Sequence, residues 1–270
     1  MPGRLEKKVA LITGAGMGMG REASVLFAEQ GARVVVCDLN ARAAAETVEL
    51  VGKAGGEALA VVGDVAVEAD VRRMVEDGVR RFGALHILYN NAGVLWKDRD
   101  RSVLETDGEQ WDRVMGINLK SVFWVTKHGI PHLQKAGGGS IILVGSVSAL
   151  AGFTRAQDAY TAAKGGLSAL ARAVASELAA SGLTSNPLSP GFFATVPDPE
   201  YLEQSGFLKA IQHRVGDGVH LGLEADHADA VAVGPQAGAV VLEHPLALRV
   251  HFTQQRIGEA LALVHRQRGA

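Results

Sequence analysis

Tyr160 and Lys164 stand four residues apart in a stretch with helical spacing, so they share one face. An ammonium there can lower a phenol's pKa from its reference near ~10, which makes proton exchange feasible near neutrality, the work of a general acid or base. Ser146, fourteen residues earlier, closes the apolar run Ile141–Gly145. From that position its hydroxyl could bond a substrate oxygen and orient it toward the tyrosine, although a serine there also suits a plain turn. Taken singly, a Tyr-x-x-x-Lys pair equally describes two residues packed on a helix surface, so its meaning depends on its neighbours.

Those neighbours include a glycine-rich turn. The apolar run Val9–Thr13 passes through Gly14, Ala15, Gly16, Met17, Gly18, Met19 and Gly20 directly into a helical pattern. Missing side chains let the backbone approach a pyrophosphate, and a helix N-terminus favours its charge. A second apolar run ends at Asp38, eighteen positions after Gly20 and close to the roughly 20-residue spacing at which a carboxylate meets the adenosine ribose hydroxyls. Met17 and Leu39 supply no positive charge to offset a 2′-phosphate, so the pattern favours NAD over NADP as cofactor. Asp64-Val65 and Asn90-Asn91-Ala92-Gly93 close two further runs and extend the polar edge, in positions that turn chemistry also explains.

The elements that must position these groups follow from the hydrophobic pattern. Val9–Thr13, Arg33–Asp38, Ala58–Val62, Ile87–Asn90 and Ser140–Gly145 are short and nearly all apolar, as parallel strands covered on both faces should be. Gly20–Gln30, Ala41–Ala54, Val67–Phe82, Gln110–Leu133 and Ala159–Ala180 carry apolar residues at helical spacing. That alternation predicts an α/β fold, a Rossmann-type doubly wound parallel sheet with helices on both faces, forming one domain over residues 1–270. Ligands in such sheets sit beyond the carboxyl ends of the strands, where the glycine turn, Asp38, Asp64, Asn90 and Ser146 all fall.

Composition narrows the function. A chain of 270 residues, 47% hydrophobic and 21% charged, can bury a large core, and a net charge of −2 offers no basic field for a nucleic acid. No apolar run approaches the roughly 18 residues that span a bilayer, and the charged start Met1–Lys8 has no apolar region behind it, so the expected location is the cytoplasm, away from any membrane. The single cysteine, Cys37, lies in an apolar run and reads as a buried strand residue. His213, His220 and His227 are seven apart, as are His244 and His251, but Gly216, Gly218 and Gly222 interrupt the stripe and no i, i+4 pair forms, so no metal is expected.

Together these residues resemble the short-chain dehydrogenase/reductase family in its simple, non-extended form. Gly14-x-x-x-Gly18-x-Gly20, Asn90-Asn91-Ala92-Gly93, Asn118, Ser146, Tyr160, Lys164 and Pro190-Gly191 appear in the family's order over roughly residues 5–195. The resemblance implies an NAD-dependent oxidoreductase interconverting a secondary alcohol and a ketone. Tyr160 would be the general acid/base, Lys164 would bind the nicotinamide ribose and assist the tyrosine, Ser146 would position the substrate, and Asn118 would support a water in a proton relay. It also assigns Asp64 and Val65 to the adenine, Asn91 with Ala92 and Gly93 to the cofactor's ribose side, and Pro190–Thr195 to the nicotinamide, with Gly191, Phe193 and Thr195 beside it. A homotetramer or homodimer is implied likewise. The competing reading is a nucleotide-binding regulatory or scaffold protein of the same fold that has lost turnover.

For the small-molecule alcohol or ketone, Val94, Leu95, Trp96, Leu150, Phe153 and Phe192 predict a mainly apolar pocket, and residues 192–225 a substrate loop. A cyclic alcohol, a steroid-like ketone or a 3-oxoacyl group would suit such walls. Two departures stand out. Leu183–Leu188 falls where a strand is expected but contains Pro187, which removes a ladder donor. Beyond about residue 195 the family pattern fades, with Ala225–Val233 and Ala239–Glu243 only faint counterparts of its closing elements; a shift of reading frame would account for this.

Overall fold

The computed structural model describes residues 3–150 and 156–190. By its contacts the chain divides into two units, Met1–Ser189 and Pro190–Ala270, and the sheet lies wholly in the first. The predicted substrate loop 192–225, the faint elements Ala225–Val233 and Ala239–Glu243, the five histidines from His213 to His251, and Phe153, Gly191, Phe192, Phe193 and Thr195 lie outside the described residues.

Six strands form one parallel sheet: β1 Val9–Thr13, β2 Arg33–Asp38, β3 Glu57–Val62, β4 Ile87–Asn90, β5 Gly139–Val144 and β6 Leu183–Leu188. Their spatial order is β3-β2-β1-β4-β5-β6. The helices between them are α1 Gly18–Glu29, α2 Ala41–Lys53, α3 Glu68–Phe82, α4 Gly108–Met115, α5 Ser121–Lys135 and α6 Asp158–Leu178. This is the doubly wound architecture that the alternation predicts.

The central strands β1, β2 and β4 are buried on both faces, which explains why they read as continuous apolar runs. Along β1, Val9 and Leu11 pack with Met74 of α3, Val122 of α5 and Leu167 of α6, whereas Ala10 and Ile12 face Ala23 of α1 and Val51 of α2. Each fully buried Val, Leu or Ile in this arrangement contributes on the order of 1.5–3 kcal/mol of transfer free energy. Cys37 is fully buried among them, and burial pushes its thiol pKa well up, as an inert strand residue requires. No helix among the described residues is long and apolar enough to cross a membrane, and no cluster of metal-ligating side chains occurs among them.

Two elements differ from the sequence reading. The segment expected as one helix, Gln110–Leu133, begins at Gly108, where Asp107 caps α4 through Gln110 N–H at 2.7 Å, and is broken by a π-helical stretch, Gly116–Lys120, before α5. An extra residue in the turn does not disturb an apolar stripe enough to be read from the pattern. Pro187, by contrast, does not prevent β6. Gly139 N–H donates to Gly182 O and Gly145 N–H to Leu188 O, so the even-numbered residues of β6 carry its bonds to β5. Pro187, opposite Leu143, has its ring nitrogen on the other edge, where no ladder bond to β5 is lost.

Candidate active site

The strand order reverses between β1 and β4, whose crossovers leave in opposite directions and open a crevice at the strands' carboxyl ends. The crevice is tied together by polar groups. Thr13 Oγ1 accepts from Asn91 N–H and Ala92 N–H, both at 3.1 Å, and Asn91 Nδ2 donates to Thr13 O and Gly14 O, both at 3.0 Å. Asn91, assigned by resemblance to the ribose side, thus spends its side-chain N–H donors on the glycine turn.

Gly14 and Gly18 adopt positive φ, +61° and +52°, which L side chains rarely tolerate. A Cβ on Gly14 would lie 2.8 Å from Ala92 Cα, whereas Gly18 faces open space. Helix α1 starts there with no side-chain cap, and Met17 at its head is 71% exposed, so the first backbone N–H groups of the helix are offered to solvent or to an anion. The turn's other wall is Asp38: its Oδ2 accepts from Gly16 N–H at 2.7 Å and its Oδ1 from Asn40 N–H at 2.9 Å. Two nearby cations that the sequence reading did not weigh, Arg21 and Arg42, both pair with Glu46 of α2, at 3.1 and 2.9 Å. Leu39 is 70% exposed beside the carboxylate. These features form a cradle that a Cβ at Gly14 or Gly16 would fill and that carries one carboxylate, which fits a dinucleotide's pyrophosphate and ribose. Along the same edge, Asp64 bonds its own turn through Ala66 N–H at 2.8 Å, and Val65 beside it is half-buried.

The residues predicted to transfer the proton lie at the carboxyl end of β5. Ser146 follows the strand and Tyr160 lies in the first turn of α6, near enough for the Ser146 hydroxyl to act on the phenol's pKa. Lys164, one turn on, is buried, with its ammonium 5.6 Å from the Tyr160 ring centroid. The predicted effect of the lysine on the phenol is not what the geometry shows. Burial holds the Tyr160 phenol above its ordinary pKa, and only the Ser146 hydroxyl acts in the other direction. Lys164 instead donates to Val144 O at 2.7 Å, and its own pKa is lowered by burial to about 8. An ammonium has three donors, so two remain after the Val144 bond.

Asn118 sits in the π-helical stretch and is fully buried. Its Oδ1 accepts from Val94 N–H at 3.0 Å, and its Nδ2 donates to Val94 O at 3.1 Å and Val114 O at 3.0 Å. The side chain therefore clamps the segment that follows Gly93, and both of its N–H donors are committed to backbone carbonyls. Gly93 is required here by close approach: a Cβ would lie 2.7 Å from Asn118 Oδ1 and 3.4 Å from Lys164 Nζ. Of the predicted apolar walls, Leu95 and Leu150 are exposed, Val94 and Trp96 are half-buried, and the Trp96 ring is stacked by Arg113 at 5.1 Å. Pro190, half-buried, directly follows Ser189 at the end of β6.

Sequence reasoning missed Thr13 as the pin between β1 and β4, and it missed Asp100. That aspartate is buried and bonds the first turn of α6, yet it lies in the charged run Lys97-Asp98-Arg99-Asp100-Arg101, whose composition suggests a solvated loop.

Comparisons with known proteins agree with this geometry. The short chain dehydrogenase family model matches residues 8–205. Cyclohexanol dehydrogenase of Acinetobacter sp. (strain SE19) is 38% identical over 75% of this chain and 80% of its own length. The (3R)-3-hydroxyacyl-CoA dehydrogenase of Canis lupus familiaris is also 38% identical, over 85% of this chain and 90% of its own. Among solved structures, carveol dehydrogenase from Mycobacterium avium in complex with NAD superposes with a TM-score of 0.67 at 32% identity, covering 70% of this chain and 72% of that one.

Proposed function

The chain belongs to the short-chain dehydrogenase family of oxidoreductases, and from that premise we propose that it interconverts a secondary alcohol and a ketone with NAD as cofactor. The observation that carries the proposal is the meeting of Tyr160, Ser146 and buried Lys164 at the mouth of the crevice that the glycine turn and Asp38 line.

Bound in that crevice, the dinucleotide would supply the hydride acceptor for alcohol oxidation or the donor for ketone reduction. The residues of the chain do the rest. The exposed N–H groups at the head of α1 hold the pyrophosphate, and Asp38 takes the ribose hydroxyls and repels a 2′-phosphate, because Glu46 engages the nearby arginines. The two remaining donors of Lys164 hold the nicotinamide ribose. Ser146 bonds the substrate oxygen, and Tyr160 gives that oxygen a proton during reduction or takes one during oxidation. Burial raises the phenol's pKa, and donors that the substrate complex brings to its oxygen would act in the other direction.

The substrate class that fits is an apolar, cyclic secondary alcohol or ketone. Val94, Leu95, Trp96 and Leu150 flank the site, and two of the proteins similar to this chain are dehydrogenases of cyclohexanol and carveol. A homo-oligomer and a cytoplasmic location complete the proposal. The former draws on the mainly apolar groove of Met115, Leu119, Lys120, Phe123, Gly166 and Leu170 between α4 and α6, with Phe123 exposed, and light scattering of the purified protein tests it.

The deciding experiment combines NADH and NADPH titration with a screen of secondary alcohols and ketones, on wild type and Tyr160→Phe. Turnover in wild type, with a loss of about a hundredfold or more in the variant at unchanged NADH affinity, is expected. Cofactor binding without turnover across a broad panel points instead to a regulatory protein.

A further inference from the structure

The first turn of α6, which carries Tyr160, has no cap of its own. Gln157 at the N-cap position makes no side-chain hydrogen bond, and the first bond within the helix is Thr161 N–H to Gln157 O at 2.9 Å. Three backbone donors, those of Asp158, Ala159 and Tyr160, precede it and need acceptors from elsewhere.

All three acceptors come from two adjacent residues of the connection between β4 and α4. Asp158 N–H donates to Arg101 O at 3.0 Å, Ala159 N–H to Asp100 Oδ1 at 3.0 Å and Tyr160 N–H to Asp100 Oδ2 at 2.8 Å. A return bond, Val103 N–H to Asp158 Oδ2 at 2.7 Å, closes the junction. Asp100 is 0% exposed, so its carboxylate is desolvated and its compensation comes from these helix amides and from the positive end of the helix dipole. An ordinary N-cap would lie next to the helix in sequence. This one is delivered from 58 residues upstream and bonds the backbone of the tyrosine itself.

The geometry points to Asp100 as a positioning residue for proton transfer: its carboxylate clamps the backbone of Tyr160 from the opposite loop and fixes where the phenol meets Ser146. The loop that it anchors begins at Asn91–Gly93, which line the cofactor crevice, so one buried carboxylate locks the cofactor side of the site to the acid/base side. Without the clamp the first turn of α6 frays, the phenol samples positions off the line to the substrate oxygen, and the binding surface around the glycine turn is untouched. A misplacement on the order of 1 Å in such a group can cost about a hundredfold in rate.

This inference rests on Tyr160 as the acid/base, which Tyr160→Phe tests separately. Two variants probe the clamp: Asp100→Asn keeps the side-chain volume and one acceptor, and Asp100→Ala keeps neither. In the alcohol or ketone assay kcat is expected to fall about tenfold in Asp100→Asn and about a hundredfold in Asp100→Ala, with the NADH dissociation constant within about twofold of wild type. Wild-type kcat in Asp100→Asn and Asp100→Ala while Tyr160→Phe is inactive overturns the inference. So does a fall in kcat that merely tracks a loss of NADH-binding sites in Asp100→Asn, because that is loss of folded protein. Full activity in Tyr160→Phe removes the acid/base assignment beneath it, a failure recognisable because Asp100 is then irrelevant to the loss.

Discussion

Replacing Thr13 by valine changes one hydroxyl for one methyl at nearly constant volume, at a residue only 2% exposed. The lost oxygen is the acceptor for two backbone donors, Asn91 N–H and Ala92 N–H, each at 3.1 Å. A buried donor left without a partner costs about 1–3 kcal/mol, and both donors here are only partly buried, so the low end applies and the pair should cost about 2–4 kcal/mol. In a domain of this size that corresponds to a fall in Tm of roughly 5–12 °C. Thr13→Ser is the control: it keeps the oxygen, loses one methyl and should cost below about 1.5 kcal/mol. Urea unfolding followed by circular dichroism measures both. NADH affinity should weaken in the valine variant as well, because the same oxygen holds the end of β4 against the glycine turn. Equal stabilities of the valine and serine variants would show that the two donors find water or other acceptors, and the pin between β1 and β4 would have to be abandoned.

Three further outcomes follow from the same geometry. Burial lowers Lys164 to a pKa of about 8, so between there and its ordinary 10.5 the unfolded chain holds the proton more tightly and wild-type stability should rise with pH. The cost is full below pH 8; relative to Lys164→Met, wild type should gain up to about 3 kcal/mol from pH 8 to 10.5 in urea unfolding, and parallel curves would contradict a buried ammonium. Gly93→Ala places a methyl 2.7 Å from Asn118 Oδ1 and should cost about 1–3 kcal/mol in stability with a clear drop in kcat, whereas wild-type kinetics would show slack between Asn118 and Lys164. Asp38→Ala should lower the ratio of kcat/KM with NAD to that with NADP by about tenfold or more, and an unchanged ratio would mean that the carboxylate does not choose the cofactor.

The sequence by itself determined the layered fold and the chemical class of the site. Parallel strands covered on both faces must be apolar throughout, so β1, β2 and β4 are legible with their observed bounds. A glycine turn, a carboxylate after the second strand and a Tyr-x-x-x-Lys pair are local patterns, carried by a few adjacent residues, and one chain suffices to read them. Tertiary structure decided what depends on contacts between distant segments. Pro187 is harmless because the partner strand bonds the alternate residues of β6, a choice of edge that no local pattern contains. The π-helical stretch places Asn118 against Val94, and that clamp becomes visible only when the two segments meet. Burial reversed the predicted influence on the Tyr160 phenol, because desolvation is set by everything packed around a group and not by the residue four positions away. Asp100 is the extreme case. Its neighbours in sequence are charged and solvated, and only the approach of α6, 58 residues later, removes it from water and gives its two oxygens the amides of Ala159 and Tyr160.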